Sequence, residues 1–341
     1  MNNQLVKFAI IGFGRIGKRH AEMIYSNPNS ELVAVVDIND NEIKAASSLY
    51  KNINVANTIE ALKNQDLEID VLNVCTPNYL HAEHCIEGLQ NDWHAVCEKP
   101  MDIDSKKCKQ VIELEKIKNK QVFCVLQNRF SPPSLWLKSI VEDDKLGKIH
   151  FIQVNCFWNR GESYFTESDW KGNLQKDGGP LYTQFSHFID LLYWLFGDLE
   201  ILNANFSQRK FNEIIEFEDT GTFQFKTKNK TLGSFNYSIA VFKENLESSI
   251  MIIGEKGTVK VGGQYMNKVE FCNIENYTLP NIQTVNPPNN YGQYKGSAAN
   301  HSFVIEGVIN AIQKNENKLP NSSEGKAVVQ LIENVYKFRQ A

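Results

Sequence analysis

Between Val6 and Val125, short apolar runs alternate with amphipathic stretches of helical length. The apolar runs are continuous and rich in Val and Ile, which predicts strands covered on both faces and therefore a parallel sheet. The predicted strands are 6–12, 32–37, 69–74, 93–97 and 122–125, and the predicted helices are 15–26, 41–50, 80–89 and 105–118. Strand and helix repeating at this pitch predict a doubly wound α/β domain.

The pattern changes after residue 127. The break at Ser131-Pro132-Pro133 precedes a predicted helix at 134–143, and the later segments have the period of two that half-buried antiparallel strands show. The predicted strands are 149–157, 201–208, 220–225, 231–239, 246–253 and 258–261; the predicted helices are 181–196, 302–314 and 323–338, with a loop at 286–292. We therefore predict a first domain at 1–127 and, at 128–341, an α+β domain with an open, mainly antiparallel sheet.

Composition limits the classes of partner. A net charge of −4 and a pI near 6.0 provide no basic surface for nucleic acid. No uninterrupted apolar stretch reaches the ~18 residues that a membrane helix needs, and the first residues do not read as a signal peptide. The seven cysteines include no C-x-x-C pair, which is typical of reduced thiols. We expect a cytoplasmic protein that binds neither nucleic acid nor membrane.

A glycine motif lies between the first predicted strand and helix. The residues Gly12-Phe13-Gly14-Arg15-Ile16-Gly17 read G-x-G-x-x-G. In this position the first glycine permits a tight turn, the second lets the backbone approach a pyrophosphate, and the third lets helix and strand pack closely. The free N–H groups at the start of the helix attract phosphate. The first domain is therefore predicted to be a Rossmann domain that binds a dinucleotide through these six residues.

Asp37 ends the second predicted strand, 25 residues after Gly12. A carboxylate at this place accepts hydrogen bonds from the adenosine ribose and repels a 2′-phosphate, which favours NAD over NADP. The simpler interpretation is a turn residue at the end of a strand, since Asn39 and Asp40 follow.

Further motifs follow two later strands. These are Cys75-Thr76-Pro77-Asn78-Tyr79-Leu80-His81 and Cys97-Glu98-Lys99-Pro100, with Gly178-Gly179-Pro180-Leu181-Tyr182-Thr183-Gln184-Phe185-Ser186-His187 in the second domain. With the glycine motif before them, the chain resembles the Gfo/Idh/MocA oxidoreductases, which act on sugars, sugar nucleotides and related polyols. The resemblance implies NAD as cofactor, a C-terminal domain that binds the substrate, and a homo-oligomer, either a dimer or a tetramer.

The resemblance also implies roles for individual residues. Glu98 would contact the nicotinamide-side ribose, Lys99 would lie beside the nicotinamide, and His187 matches the active-site histidine of the family. Besides the glycine motif and Asp37, the residues expected to bind cofactor are Thr76, Pro77, Asn78, His81, Glu98, Lys99 and Gln127.

The chemistry agrees with Lys99 and His187 as the catalytic residues. Oxidation of a secondary alcohol needs a base for the hydroxyl proton, and an imidazole with a pKa of ~6.5 is suited to that task. A lysine beside a positively charged nicotinamide can have a lowered pKa and polarise the reacting oxygen. The alternatives are a surface lysine and a helix-borne histidine bonded to a carbonyl group.

One position departs from the family pattern. The polyol dehydrogenases carry an Asp four residues before the histidine, where this chain has Thr183. An Asp–His acid/base pair is therefore not expected here. Asp190, one turn after His187, is a candidate to orient the imidazole, although i,i+3 pairs are common without such a role.

The motifs resemble most the branch that oxidises nucleotide sugars, the UDP-N-acetylglucosaminuronate 3-dehydrogenases, which give a 3-keto sugar. Arg129 and Arg160 are candidates to clamp a uronate or diphosphate, and Tyr164, Trp170 and Tyr294 offer flat surfaces for a ring. The alternatives are ordinary ion pairs and hydrophobic anchors. The residues expected to bind substrate are Lys99, Asn128, Arg129, Arg160, Tyr164, Trp170, Thr183, Gln184, His187 and Tyr294.

Other classes of function are open on the sequence. The enzymatic alternative is a polyol or monosaccharide dehydrogenase of the inositol or glucose type, which Thr183 disfavours. The second is a non-catalytic, NAD-sensing regulator of the same fold, which would not need both Lys99 and His187. A metalloenzyme is disfavoured because His81 and His84 are three residues apart without the H-E-x-x-H arrangement. We therefore predict no metal site.

The position of Asp37 predicts the cofactor preference. We expect NADH to bind at least about tenfold more tightly than NADPH, because the carboxylate repels the 2′-phosphate. A fluorescence titration with both nucleotides measures this ratio, and Asp37→Ser should narrow it. Tighter binding of NADPH to the unchanged protein would show that the assignment of Asp37 is wrong.

Overall fold

The computed structural model describes residues 4–283, 286–290 and 295–339. The strands are β1 Val6–Ile11, β2 Ser30–Val36, β3 Asn54–Ala56, β4 Val71–Val74, β5 His94–Cys97, β6 Val122–Cys124, β7 Ile149–Phe157, β8 Leu199–Ser207, β9 Thr220–Thr227, β10 Leu232–Ser238, β11 Glu247–Gly254, β12 Gly257–Gly262, β13 Lys268–Ile274, β14 Pro288–Asn290 and β15 Lys295–Ala298. The helices are α1 Arg15–Ser26, α2 Asp40–Leu49, α3 Ile59–Lys63, α4 His81–Gln90, α5 Ser105–Lys118, α6 Pro132–Glu142, α7 Ser163–Thr166, α8 Pro180–Thr183, α9 Ser186–Phe196, α10 His301–Lys314 and α11 Ser322–Tyr336.

The chain divides into two units, and the first consists of residues 4–126 and 301–329. Its sheet has the strand order β3-β2-β1-β4-β5-β6, and every pair in it is parallel. Strand ends are aligned, since Ile11 pairs with both Val36 and Val74, and Cys97 pairs with Val74 and Cys124. The residues that follow these strands therefore emerge at one edge, where α/β folds bind their ligands. This confirms the predicted doubly wound sheet; β3, with only three residues, was not predicted.

The C-terminal part of the first unit differs from the predicted domain boundaries. The predicted second domain, 128–341, includes 301–329, but in the structure this segment packs with the first unit. Helix α10 buries Val304, Ile305 and Val308 and contacts α1 and β1. The backbone N–H of Cys124 in β6 donates to Pro320 O at 2.8 Å. The apolar face of α10 therefore covers the sheet. The order of the elements along the chain does not predict this packing.

The second unit consists of residues 127–300 and 330–339 within the described part of the chain. Its sheet has the order β13-β12-β11-β7-β10-β9-β8, in which β7 and β10 are parallel and the other neighbours are antiparallel. This confirms the predicted mainly antiparallel sheet. Alternate residues of β7 are buried, namely Ile152, Val154 and Cys156, as expected when one face of the sheet forms a core.

Helix α9 lies over the buried face of this sheet. The ring of Phe185, just before α9, is 5.6 Å from that of Tyr237 in β10, and both Phe185 and Phe188 contact Trp158 edge to face. These aromatic contacts fix the start of α9. The helix predicted at 181–196 is interrupted at Gln184 and Phe185, giving the short helix α8 and then α9. The interruption turns Phe185 into the core and starts α9 directly before His187.

Three further elements differ from the sequence-based expectation. Strand β13 was not predicted, since its mixed, largely exposed residues at the sheet edge show no clear period. The segment 286–292, predicted as a loop, contains β14, which pairs with β15 in an antiparallel ribbon. Residues 291 and 292 of that predicted loop lie outside the described residues. Among the described helices, none is long and apolar enough to span a bilayer.

Candidate active site

The glycine motif forms a cradle between β1 and α1. Gly12 has a φ of +87°, and a Cβ there would fall 2.7 Å from the carbonyl carbon and oxygen of Cys75. A Cβ on Gly17 would fall 2.0 Å from Gly12 O, whereas one on Gly14 would meet no atom within 4 Å. The protein itself therefore requires Gly12 and Gly17, while Gly14 leaves open space. No side chain caps α1, so its N-terminus is suited to a pyrophosphate.

Asp37 is held against this cradle. One of its carboxylate oxygens, Oδ2, accepts a hydrogen bond from the backbone N–H of Phe13 at 2.6 Å, and Oδ1 accepts one from that of Asn39 at 2.8 Å. The carboxylate thus joins the end of β2 to the glycine turn. Each oxygen has a second lone pair with which to accept a ribose hydroxyl. Both interpretations of Asp37, a structural one and a ribose contact, are compatible with this geometry.

The loops after β4 and β5 are joined by His81. Its Nε2 is 2.7 Å from Thr76 O and its Nδ1 is 2.7 Å from Pro100 O. Burial lowers the pKa of His81, although the two carbonyl groups act in the opposite direction. Thr76 Oγ1 also lies 2.9 Å from His84 Nδ1. In the structure His81 therefore braces the loops on which Pro77, Asn78 and Lys99 lie, and its contact with the cofactor stays a prediction.

Glu98 is buried at the end of β5, and two histidines contact it. Its Oε1 lies 2.9 Å from His20 Nε2 and 3.5 Å from His301 Nε2. Burial raises the pKa of Glu98, but the hydrogen bonds and charges of the two histidines outweigh it and hold that pKa well below its usual range. Neither histidine was singled out from the sequence, because a histidine within a helix pattern shows no signature and His301 is remote from Glu98 in the chain. Lys99 follows at the same edge and is partly exposed.

In the second unit, His187 lies at the start of α9 and is buried. Its Nε2 is 3.3 Å from Ser297 Oγ, which in turn accepts a hydrogen bond from Gln127 Nε2 at 3.3 Å. Asn300 Nδ2 donates to the carbonyl oxygen of Gln127. Gln127, predicted to bind cofactor, therefore belongs to the same hydrogen-bonded group as the predicted catalytic histidine.

Asn128 and Arg129 have contrasting environments on the 3-10 turn Gln127–Phe130. The side chain of Asn128 is buried, and neither its Oδ1 nor its Nδ2 has a hydrogen-bond partner among the described residues. Buried amides are normally satisfied, which favours the prediction that Asn128 binds a ligand. Arg129 instead donates from Nε to Asp190 Oδ2 at 3.0 Å and from Nη2 to Asp190 Oδ1 at 2.6 Å. This edge of the guanidinium is occupied by Asp190, so the predicted clamp on the substrate does not form there.

A cluster of aromatic and cationic side chains brings together other predicted substrate residues. The guanidinium carbon of Arg160 is 4.9 Å from the Trp158 ring and 5.2 Å from the Tyr164 ring. The hydroxyl of Tyr164 accepts a hydrogen bond from Gln184 Nε2 at 2.9 Å. Lys171 Nζ lies 4.2 Å from the centre of the Tyr164 ring. We call Arg160, Tyr164, Lys171 and Gln184 the cationic cluster; Trp170 borders it, 5.9 Å from Lys171 Nζ.

Thr183 is paired with a carboxylate that the sequence did not reveal. Its hydroxyl donates to Asp177 Oδ1, and Asp177 Oδ2 accepts from the backbone N–H of Gly172. Burial raises the pKa of Asp177 to about 6, although these hydrogen bonds oppose the rise. A buried carboxylate therefore lies beside Thr183. Tyr294 lies outside the described residues.

The parallel 3-2-1-4-5-6 sheet, with a glycine cradle at the carboxyl end of its first strand, defines a dinucleotide-binding protein of the Rossmann class. Comparison with known families is more specific. Residues 6–125 match the NAD-binding Rossmann fold of the Gfo/Idh/MocA oxidoreductase family, and residues 138–340 match its C-terminal alpha/beta domain. The chain belongs to this family.

Several relatives are similar over nearly the whole chain. Glucose-6-phosphate 3-dehydrogenase of Bacillus subtilis (strain 168) is 28% identical over 94% of this chain and 92% of the relative. The WlbA dehydrogenase of Bordetella pertussis, solved with NADH and UDP-GlcNAcA, has a TM-score of 0.86 and 29% identity over 98% of this chain and 96% of that one. The WlbA dehydrogenase of Chromobacterium violaceum, solved with the same two ligands, has a TM-score of 0.87 and 28% identity over 99% and 94%. The chain is an NAD-dependent dehydrogenase of this sugar-oxidising family.

The glycine cradle predicts that two similar substitutions have different effects. Gly14→Ala adds a methyl group in open space, so it should leave the thermal stability of the cofactor-free protein almost unchanged. Because the methyl group stands where the pyrophosphate approaches, it should weaken NADH binding about tenfold or more. Gly17→Ala should lower the thermal stability as well, because its Cβ meets Gly12 O. Differential scanning fluorimetry and a NADH titration measure both effects; unchanged NADH affinity in Gly14→Ala would contradict this placement of the cofactor.

Proposed function

We propose that this protein oxidises a secondary hydroxyl, at C3, of a nucleotide sugar such as UDP-N-acetylglucosaminuronate to a 3-keto sugar, with NAD as the hydride acceptor. The observation that carries the proposal is the likeness along nearly the entire chain to the two WlbA dehydrogenases, both solved with NADH and UDP-GlcNAcA. One relative, glucose-6-phosphate 3-dehydrogenase, is also named for reaction at position 3 of a sugar.

The described residues include cationic and hydrogen-bonding groups suited to an anionic, polyhydroxylated substrate. The cationic cluster places the side chains of Arg160 and Lys171 against the face of Tyr164. Such a cluster suits a uronate or a diphosphate, because guanidinium and ammonium groups pair with carboxylate and phosphate oxygens. The amide of Asn128, with both Nδ2 and Oδ1 unsatisfied, can donate hydrogen bonds to sugar hydroxyls and accept them.

The proposed mechanism uses Lys99 and His187. Bound NAD supplies the hydride acceptor, and the protein orients it. His187 accepts the proton of the reacting hydroxyl, and its contact with Ser297 Oγ fixes the orientation of the ring. Lys99, held by the loop that His81 braces, polarises the oxygen and stabilises the negative charge that develops on it. Asp177 takes the hydrogen of the Thr183 hydroxyl, so Thr183 Oγ1 would accept a hydrogen bond from a sugar hydroxyl.

A monosaccharide dehydrogenase is the second candidate. It is favoured by the 28% identity to glucose-6-phosphate 3-dehydrogenase, whose named substrate is also an anionic sugar. A homo-oligomeric state, dimer or tetramer, and a cytoplasmic location stay predictions from the sequence.

A substrate panel distinguishes these candidates. We expect NADH formation, followed at 340 nm, with UDP-N-acetylglucosaminuronate, and at least about a tenfold lower kcat/KM with UDP-N-acetylglucosamine, which lacks the carboxylate. Glucose 6-phosphate and inositol complete the panel. Turnover of either of these, together with no calorimetric binding of the two UDP-sugars, would contradict the proposal in favour of a monosaccharide or polyol dehydrogenase.

The proposed roles of Lys99 and His187 predict that their substitution lowers turnover without weakening cofactor binding. Lys99→Ala and His187→Ala should each lower kcat about 10²- to 10⁴-fold, because each removes a group that handles the proton or the developing charge. The dissociation constant of NADH should change little. Lys106→Ala and His150→Ala, at exposed positions, are the matched controls. Turnover close to that of these controls in both variants would exclude the mechanism.

A further inference from the structure

The two carboxylate oxygens of Glu98 differ in their hydrogen-bond partners. Oε1 lies 2.9 Å from His20 Nε2 and 3.5 Å from His301 Nε2. Oε2 accepts a hydrogen bond from the backbone N–H of Lys99 at 3.2 Å. A carboxylate oxygen accepts about two hydrogen bonds, so Oε2 retains room for one more donor, such as a hydroxyl group.

The two histidines are themselves fixed. The amide of Asn73, in β4, contacts His20 Nδ1 at 2.9 Å, so both ring nitrogens of His20 are engaged. The rings of His20 and His301 contact each other edge to face at 5.6 Å. His20, Glu98 and His301 are all buried, and leaving a carboxylate of this kind without partners would be costly.

The pKa shifts of His20 and His301 run in opposite directions. Burial lowers the pKa of His20, but Cys75 and Glu98 raise it, and the result lies above its ordinary value. Burial lowers the pKa of His301, against the smaller effect of Glu98. The low pKa of Glu98 keeps its carboxylate ionised between these two partners. The two imidazoles each present an N–H to the carboxylate.

We propose that His20 and His301 are positioning residues that hold Glu98 ionised and oriented, so that its free acceptor capacity binds a ribose hydroxyl of NAD. The inference rests on the proposed function only for the presence of NAD beside Glu98. His301 reaches Glu98 because α10, which begins at His301, packs with the first unit. The catalytic step itself needs neither histidine.

A metal ion is the competing interpretation of the same cluster. The three potential ligand atoms lie within 4.8 Å of one another. Among the described residues, this is the only such group of three potential metal ligands. However, the 2.9 Å separation between His20 Nε2 and Glu98 Oε1 is a hydrogen-bond distance. Two ligands about 2.0 Å from a tetrahedral ion would be roughly 3.3 Å apart.

The test compares two substitutions of His301. His301→Leu removes the N–H donor at similar volume, whereas His301→Gln restores a donor to Glu98. Without sugar present, we expect His301→Leu to raise the NADH dissociation constant about tenfold and His301→Gln to raise it by less than about threefold. In turnover, the KM for NAD should rise more than kcat falls. His150→Leu, at an exposed position, is the control.

A double-mutant cycle separates positioning from simple loss of packing. Glu98→Gln should weaken NADH binding, and His301→Leu should have little further effect in that background. If His301→Leu does not fold, His301→Gln and Glu98→Gln still test the prediction, because the first should bind NADH and the second should not bind it well. The proposal would be overturned if all variants bound NADH equally well, or if the effects of the two substitutions were independent. It would also be overturned if the purified protein contained stoichiometric zinc and removal of this zinc weakened NADH binding. Since no sugar is used, a wrong substrate assignment leaves this outcome unaffected.

Discussion

Gly12 and Gly17 stand so close to their neighbours that only hydrogen fits in place of a side chain. A Cβ on Gly17 would fall 2.0 Å from Gly12 O, and one on Gly12 would meet the backbone of Cys75. This close packing brings β1, α1 and the end of β4 together. The aligned ends of β1, β2, β4 and β5 then set Asp37, Thr76 and Glu98 along the same edge. The backbone packing therefore sets the positions of the residues predicted to bind the cofactor.

The features that could be predicted from the sequence were those with a local signal. Continuous Val- and Ile-rich runs identified the parallel strands, and the glycine spacing identified the turn. The alternation in β7 and its neighbours identified the second sheet. His187 and Lys99 were found through family motifs, since no physical pattern in the sequence distinguishes a catalytic lysine from one at the surface.

The features that could not be predicted depend on contacts between distant parts of the chain. Arg129 forms a buried ion pair with Asp190. The sequence around either residue does not indicate this pair. Helix α10 packs with the first unit because its apolar face meets α1 and β1, although in sequence it follows the second sheet. The cluster of His20, Glu98 and His301 joins three remote segments in the same way. In each case burial makes the partner obligatory, but the sequence does not identify that partner.

In the proposed function, a hydride passes from C3 of a nucleotide sugar to NAD. The most direct measurement uses UDP-N-acetylglucosaminuronate carrying deuterium at C3, incubated with the protein and NAD, with the NADH analysed by mass spectrometry. We predict NADH that carries one deuterium and a primary isotope effect on its formation in a single turnover. NADH without deuterium, or deuterium retained in the sugar after turnover, would contradict the account.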